Sequence, residues 1–271
     1  FKPPDYEFRL TPIINFNHVE VEENRVLKAD PRLGRHRSDR HIALAEAFFD
    51  YHIRNVSDRY DFDSVRIGIQ PFSSDFRGFL FQDSQLGIRF FGDRDNNIFQ
   101  YNLAWFRRLE KDTNSLLNHI ERKIRDDDIF IANLYWQDFP VLGFQSQVTG
   151  IYNRNNEAGD FFFNDNEFIE RPASFGSERG RNYDVVYLGY NGDGHFDRLN
   201  LTTSFYTALG SNRDSAFTDE TADIQAFFFA AEPSIDFDWV RLRGSIIYAS
   251  GDNDPFDNTE RGFDAIFENP Q

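Results

Sequence analysis

The residues with the most chemistry to offer are arginines that recur on one parity of alternating segments. Arg66, Arg89, Arg108, Arg198, Arg241 and Arg243 share that parity with Glu46, Asp50 and Glu110. A guanidinium carries a fixed charge and five donors, so a row of them lining a wet wall can attract and select anions. The same residues can also pair with acids on neighbouring strands and stiffen the wall. Asp252, Asn253, Asp254 and Asp257 crowd oxygens into one short stretch. Calcium takes six to eight oxygen ligands, and Asp252, Asp254 and Asp257 are candidates to supply some of them. The stretch departs from the EF-hand pattern, because its glycine precedes the acids and no terminal Glu follows. A hydrated acidic loop is the simpler expectation.

Catalytic patterns are missing. The sequence contains no GxSxG, HExxH or phosphate-loop motif, and its six histidines are scattered. Asp193 and His195 are close in NGDGH, but a turn aspartate bonding its own backbone explains the pair. With 45 acidic residues, any two carboxylates make an uninformative pair for glycoside hydrolysis. No enzymatic activity and no cofactor beyond loop calcium are expected. Disulfides and thiolate metal sites are excluded, since there is no cysteine. The formal charge of −16 argues against nucleic acid as a partner.

The elements that must position these side chains read as strands. In Val65–Gln70, Val65, Ile67 and Ile69 alternate with Arg66, Gly68 and Gln70. In Gln85–Phe90, Leu86, Ile88 and Phe90 alternate with Gln85, Gly87 and Arg89. Each ribbon thus has one apolar face and one Arg/Gln/Gly face. A soluble sandwich would turn the apolar face inward, whereas a membrane barrel turns it to lipid and the polar face to a wet lumen. Composition favours the barrel. Phe occurs 32 times in 271 residues, yet mean hydropathy is −0.60. No apolar run is long enough for a membrane-crossing helix, and barrel strands do not need one.

About eleven such strands are expected, separated alternately by short turns and long polar loops. Residues 6–21 form the first. In 41–54, Ala43, Ala45, Ala47, Phe49, Tyr51 and Ile53 are assigned to one face. Asp93–Asn97 reads as a turn, and residues 115–125 as a short helix in a long loop. Pro140 breaks a pair whose second strand starts at Val141. Residues 161–163 form a phenylalanine cluster in a further long loop. Asn191–Gly194 reads as a tight turn, and a last hairpin bends around Pro233. Tyr101, Trp105, Trp136, Trp239 and Tyr248 fall toward strand ends, where a membrane barrel carries its aromatic girdles.

HIALAEAFFDYHI, VRIGIQPF, QLGIRFF, YLGYNGDGHFDRLNLT and above all YASGDNDPFDNTERGFDAIFENP resemble Gram-negative outer-membrane proteins of the alginate-export type. The resemblance implies a bacterial outer-membrane location, a transmembrane antiparallel barrel of about 16–18 strands and a polar pore for passive passage. It implies one barrel domain over 1–271 that lacks its C-terminal strands, from a mature or trimmed chain. The expected partners are outer-membrane lipid, a polar and preferably anionic solute or polysaccharide, and outer-membrane or periplasmic proteins. A barrel with a plugged lumen and a soluble all-β carbohydrate-binding protein are the alternatives.

Overall fold

The computed structural model describes residues 4–20, 36–112, 115–163, 169–171, 181–215 and 217–266. Among them the chain is all-β, and no helix is long and apolar enough to cross a membrane. In chain order the strands are β1 (Tyr6–Glu20), β2 (His36–Asn55), β3 (Phe62–Ser73), β4 (Gln82–Arg94) and β5 (Phe99–Arg107). Next come β6 (Asp127–Trp136), β7 (Phe144–Asn156), β8 (Phe162–Phe163), β9 (Ile169–Arg171) and β10 (Asn182–Phe196). The last are β11 (Leu199–Asn212), β12 (Ala222–Phe237), β13 (Val240–Arg243), β14 (Ile246–Ala249) and β15 (Thr259–Glu260).

Thirteen of these form one sheet, in which β1 to β7 and β10 to β13 follow each other as an antiparallel meander. Strand β14 pairs with β12 antiparallel, and β15 pairs with it in parallel. Strands β8 and β9 form a separate pair. The large sheet is not closed, and β1 and β13 stand at its two ends. The expectation of an antiparallel all-β chain holds. Among the described residues fifteen strands form against the eleven expected: the last expected strand, 239–250, is split into β13 and β14, and β8, β9 and β15, of two or three residues each, are too short to show a period.

Antiparallel partners share a face, so the register sorts every side chain. Phe49, Ile67, Ile88, Trp105, Phe130 and Tyr152 form one row, and all are substantially exposed. Asp50, Arg66, Arg89, Ala104, Ile131 and Ile151 form the adjacent row on the opposite face. That second face is covered by residues 74–81 of the β3–β4 connection and by residues 261–266. Leu80, Phe81, Phe106 and Ile129 are fully buried there. Phe79 and Phe263 each pack on Phe228, with centroids 5.2 Å away, and the Ile266 N–H donates to the Leu80 carbonyl at 3.1 Å. Full burial of each such Leu or Phe contributes about 1.5–3 kcal/mol.

Several sequence expectations are corrected. In β2 the register shifts between Thr11 and Pro12, which pair with Glu46 and Leu44 and leave Ala45 unpaired. This bulge flips the parity, so Ala43 is buried on the covered face, apart from Phe49 and Tyr51. Residues 115–125 form no helix. The Leu116 N–H donates to the Asp112 carbonyl, Ser115 is held by the Asp112 carboxylate, and Lys111 bridges to Asn118. Asn191–Gly194 is strand, and the turn falls at Asp197–Arg198, with Asp197 at φ 56°. Strand β12 runs straight through Pro233 to Phe237, and β7 starts at Phe144. Of the phenylalanine cluster, Phe162 and Phe163 form β8. The closing motif's last residues, 267–270, lie outside the described residues.

Candidate functional site on the covered face

Near the short turns the covered face opens into a cavity of about 1380 Å³, lined among others by Asp50, His52, Ser64, Arg66, Phe91 and Asp93. Strand alternation delivers these groups: Asp50 and His52 from β2, Ser64 and Arg66 from β3, Phe91 and Asp93 from β4. Asp50 and Arg66 are cross-strand partners, and Arg66 donates to the Asp50 carboxylate through Nε at 2.9 Å. Its guanidinium lies 4.3 Å from the Phe48 ring centroid. Arg89 pairs with Arg66 across β3–β4 and donates to Asn102 Oδ1 at 2.6 Å. It packs 4.5 Å from the Phe91 centroid. Among the described residues no carboxylate lies within ion-pair distance of Arg89. Two guanidiniums of one row are therefore served by one carboxylate, one amide and aromatic faces. The wall presents donors, acceptors and ring faces together, which suits a hydrated polar solute.

The structure thus brings Arg66, Arg89 and Asp50 together. Glu46 stands on the same face, accepting from Thr11 at 3.0 Å and facing Arg9 at 3.6 Å. The other predicted residues are elsewhere. Arg108 lies just past β5, 8 % exposed, and pairs with Asp127 at 2.9 Å. Glu110 is buried in the β5–β6 connection. Arg198 is exposed in the β10–β11 turn. Arg241 pairs with Asp236 at 2.5 Å, and Arg243 faces Glu232 at 3.5 Å, both from β13. In the same β5–β6 connection Arg125 is buried, which by itself would lower its pKa. The bond to Glu157 at 2.6 Å and the charge of Asp127 outweigh burial and hold it above the ordinary guanidinium value.

The Asp252–Asp257 acids are engaged locally. Asp252 and Asp254 accept the backbone N–H groups of Asp254 and Phe256, and Asp257 accepts from Thr259 and from Arg261 at 2.8 Å. Arg261 holds the Asp257 carboxyl below its usual value. Among the described residues no group of three or more His, Cys, Asp or Glu is arranged to hold a metal.

Sequence reading missed Asp75, the hub of the covering segment. Its carboxylate accepts the N–H groups of Arg77, Phe79 and Leu80 and the Tyr206 hydroxyl, the last at 2.9 Å. Nothing periodic marks it, though an Asp heading SSDFRG is a recognisable Asx-turn.

The bare face has its own geometry. Tyr6 and Phe227 lie in one cross-sheet row that passes through Val65, Leu103, Gly150 and Leu188. On β1 the apolar bare-face positions run from Tyr6 to Phe16, to one side of that row; on β12 they run from Phe227 to Phe237, to the other. The strip centre therefore slides ten residues over nine strand-to-strand steps. At about 3.3 Å per residue and about 4.8 Å between strands, the strip crosses the strands as if they were tilted by roughly 40°.

Two polar rims bound the strip. At the end with the short turns, Asp63 accepts from Tyr101, Arg94 and Arg54. At the other end Arg107 reaches Asp126 and Asp128, and Arg154 and Arg213 flank Asp184. Trp105 and Tyr152 keep their rings in the strip and donate to Asp128 at 2.9 Å and Asp184 at 2.6 Å. No Asp, Glu, Lys or Arg occupies a bare-face position of β5, β6, β7, β10 or β11 between the Arg107–Asp184 rim and the short-turn ends of those strands.

No protein-family model matches the chain, and no curated protein sequence matches it.

Proposed function

We propose that the chain is the wall of a bacterial outer-membrane β-barrel that passes polar solutes, with the bare face in lipid and the covered face toward the lumen. The observation that carries this reading is the inclined, charge-free apolar strip between two polar rims. Its apparent strand tilt, roughly 40°, falls in the range of barrels that cross membranes with tilted strands. An exposed apolar surface on this scale is costly in water, and Trp and Tyr with polar tips at a rim suit an interface. The long/short rhythm agrees, since 95–98, 197–198 and 238–239 are short and 108–126 is long. An open sheet edge is not tolerated in hydrocarbon, so the reading includes pairing of the β1 and β13 edges through further strands. The alginate-export type that the closing segment resembles is the pattern for such closure.

A solute would meet the Asp50–Arg66–Arg89 wall from the short-turn end. A second reading, a structural barrel with a plugged lumen, is favoured by the packed core that residues 74–81 and 261–266 build on the same face. Planar-bilayer recording separates the two. The channel reading expects discrete ion-current steps from protein whose fold is verified by circular dichroism. Silent bilayers with correctly folded protein would leave the plugged barrel. Purification from the aqueous fraction as a monodisperse species without detergent would reject both.

A further inference from the structure

We propose that the short-turn cavity holds an organic cation, with an ammonium group on the Asp93 carboxylate and against the Phe62 ring. This rests on the reading above that the covered face lines a solute path, and it names the class of solute.

The first observation is a carboxylate without a donor. Asp93 is a covered-face residue near the end of β4 and lines the cavity of about 1380 Å³. Among the described residues no N–H, hydroxyl or cationic group lies within hydrogen-bond or ion-pair distance of its carboxylate. Its neighbours are held instead. Asp50 takes Arg66, Asp61 takes Ser57 and the Asn96 N–H, and Asp63 takes Arg54, Arg94 and Tyr101.

The second observation is the balance of charge. The charges that act on Asp93 are those of Asp61 and Arg94. Arg94 is committed to Asp63 and to the carbonyls of Phe62 and Asp93, and Arg54 is also on Asp63. Arg54 and Arg94 against Asp61, Asp63 and Asp93 leave one negative charge over. The rest of the cavity wall does not supply the missing cation. Arg66 is in contact with Asp50, and Asp58 stands beside Arg59 in the exposed β2–β3 connection. On the β1 flank Glu7 and Glu46 share the one guanidinium of Arg9, at 3.1 and 3.6 Å. Arg89, which no carboxylate answers, acts on Arg66 and Asp50 and not on Asp93.

The third observation is the ring beside that charge. Phe62 lines the same cavity, with His52 5.7 Å and Phe91 6.1 Å away between centroids. Phe91 already faces Arg66 and Arg89, whereas among the described residues no guanidinium lies over Phe62. A carboxylate next to an unoccupied ring face suits an ammonium group, which the one attracts by charge and the other by its quadrupole. A bare metal ion fits less well. It needs several oxygens, and among the described residues no three of His, Cys, Asp or Glu gather to supply them.

Saturation-transfer NMR on the full chain in detergent tests this, with butylammonium chloride and sodium butyrate as probes of opposite charge and equal length. Wild type should bind butylammonium about tenfold more tightly than butyrate. Asp93→Asn keeps the shape of the side chain and removes a charge that holds no partner. It should bind butylammonium about tenfold more weakly, with the circular dichroism spectrum of wild type. Phe62→Leu should weaken binding about threefold. Asp95→Asn, in the exposed turn next to the cavity, should leave it unchanged. Butyrate binding equal to butylammonium binding in wild type, or butylammonium binding unchanged in Asp93→Asn, overturns the site. Either result leaves the membrane reading standing, because binding is read whether or not the barrel conducts. Failure of the membrane reading shows separately, as protein that stays monodisperse when detergent is removed.

Discussion

At the residue scale, the short-turn rim depends on a single carboxylate with several donors. Asp63 is almost fully buried and takes hydrogen bonds from Tyr101, Arg94 and Arg54. Replacing it with Ala leaves two guanidiniums and a phenol without their acceptor. We expect Asp63→Ala to destabilise the fold by about 2–4 kcal/mol, read as a shift in urea midpoint at unchanged slope. Conversely, Tyr101→Phe removes one donor only and should cost about 1 kcal/mol. Asp61, in the β2–β3 connection, accepts from Ser57 at 2.8 Å and from the Asn96 N–H at 2.7 Å, tying two neighbouring turns. The Ser57 bond is the main reason its pKa is lowered from 3.8. A lowered folded pKa contributes stability that is full above the unfolded value and is lost as pH falls through the folded one. The Asn96 amide should therefore exchange normally slowly at pH 6 and lose protection below about pH 4 beyond the intrinsic pH trend. Protection that follows only the intrinsic trend would mean that Asp61 does not hold the turn.

At the element scale, the β3–β4 connection is the piece that turns a sheet with two faces into one with an inside. Its own carboxylate, Asp75, organises it by taking three backbone N–H groups, and Gln147 fastens it by donating to the Ser74 carbonyl at 2.6 Å. Arg77 spans to Glu232 at 3.4 Å. Asp75→Ala should release the segment and expose the Arg77–Gly78 bond, so that limited trypsin treatment cuts there in the variant at least about tenfold faster than in wild type. Equal cutting rates would show that the apolar anchors Leu80 and Phe81 suffice. The strands themselves were legible because alternation in β3, β4, β6 and β12 is strict. Where the reading failed, packing had overridden local chemistry. Asn191–Gly194 has turn composition, but Gly192 and Gly194 are small to admit the Phe144 ring and the Gly143 carbonyl, 2.6 and 2.3 Å from an added Cβ. Pro233 looked like a corner, yet it lies where β12 changes partner from β14 to β13, a place that has no use for its missing N–H. The parity flip at Ala45 cannot be seen in sequence, because a bulge is a property of the pair and not of either strand.

At the scale of the whole molecule, the sidedness was the legible part and the site was only partly so. Arg66, Arg89 and Asp50 fall in one row because alternation is unbroken over Ala47–His52 of β2, between its two bulges, and over the facing parts of β3 and β4. Arg108, Arg241 and Arg243 obey the same parity but find Asp127, Asp236 and Glu232, partners contributed by segments distant in sequence or by a turn whose place was misread. What the fold adds is the slant of the apolar strip, which no single strand contains.

Whether the bare face touches hydrocarbon can be read directly. The chain has no cysteine, so single cysteines can be introduced along β6 at positions 130 to 134 and labelled with nitroxide. The protein is reconstituted in vesicles and relaxation by oxygen is compared with relaxation by a water-soluble nickel chelate. With that face in lipid, labels at Phe130, Ala132 and Leu134 respond to oxygen and not to nickel, while labels at Ile131 and Asn133 lose the oxygen response. Strong nickel relaxation at Phe130, Ala132 and Leu134 would contradict it.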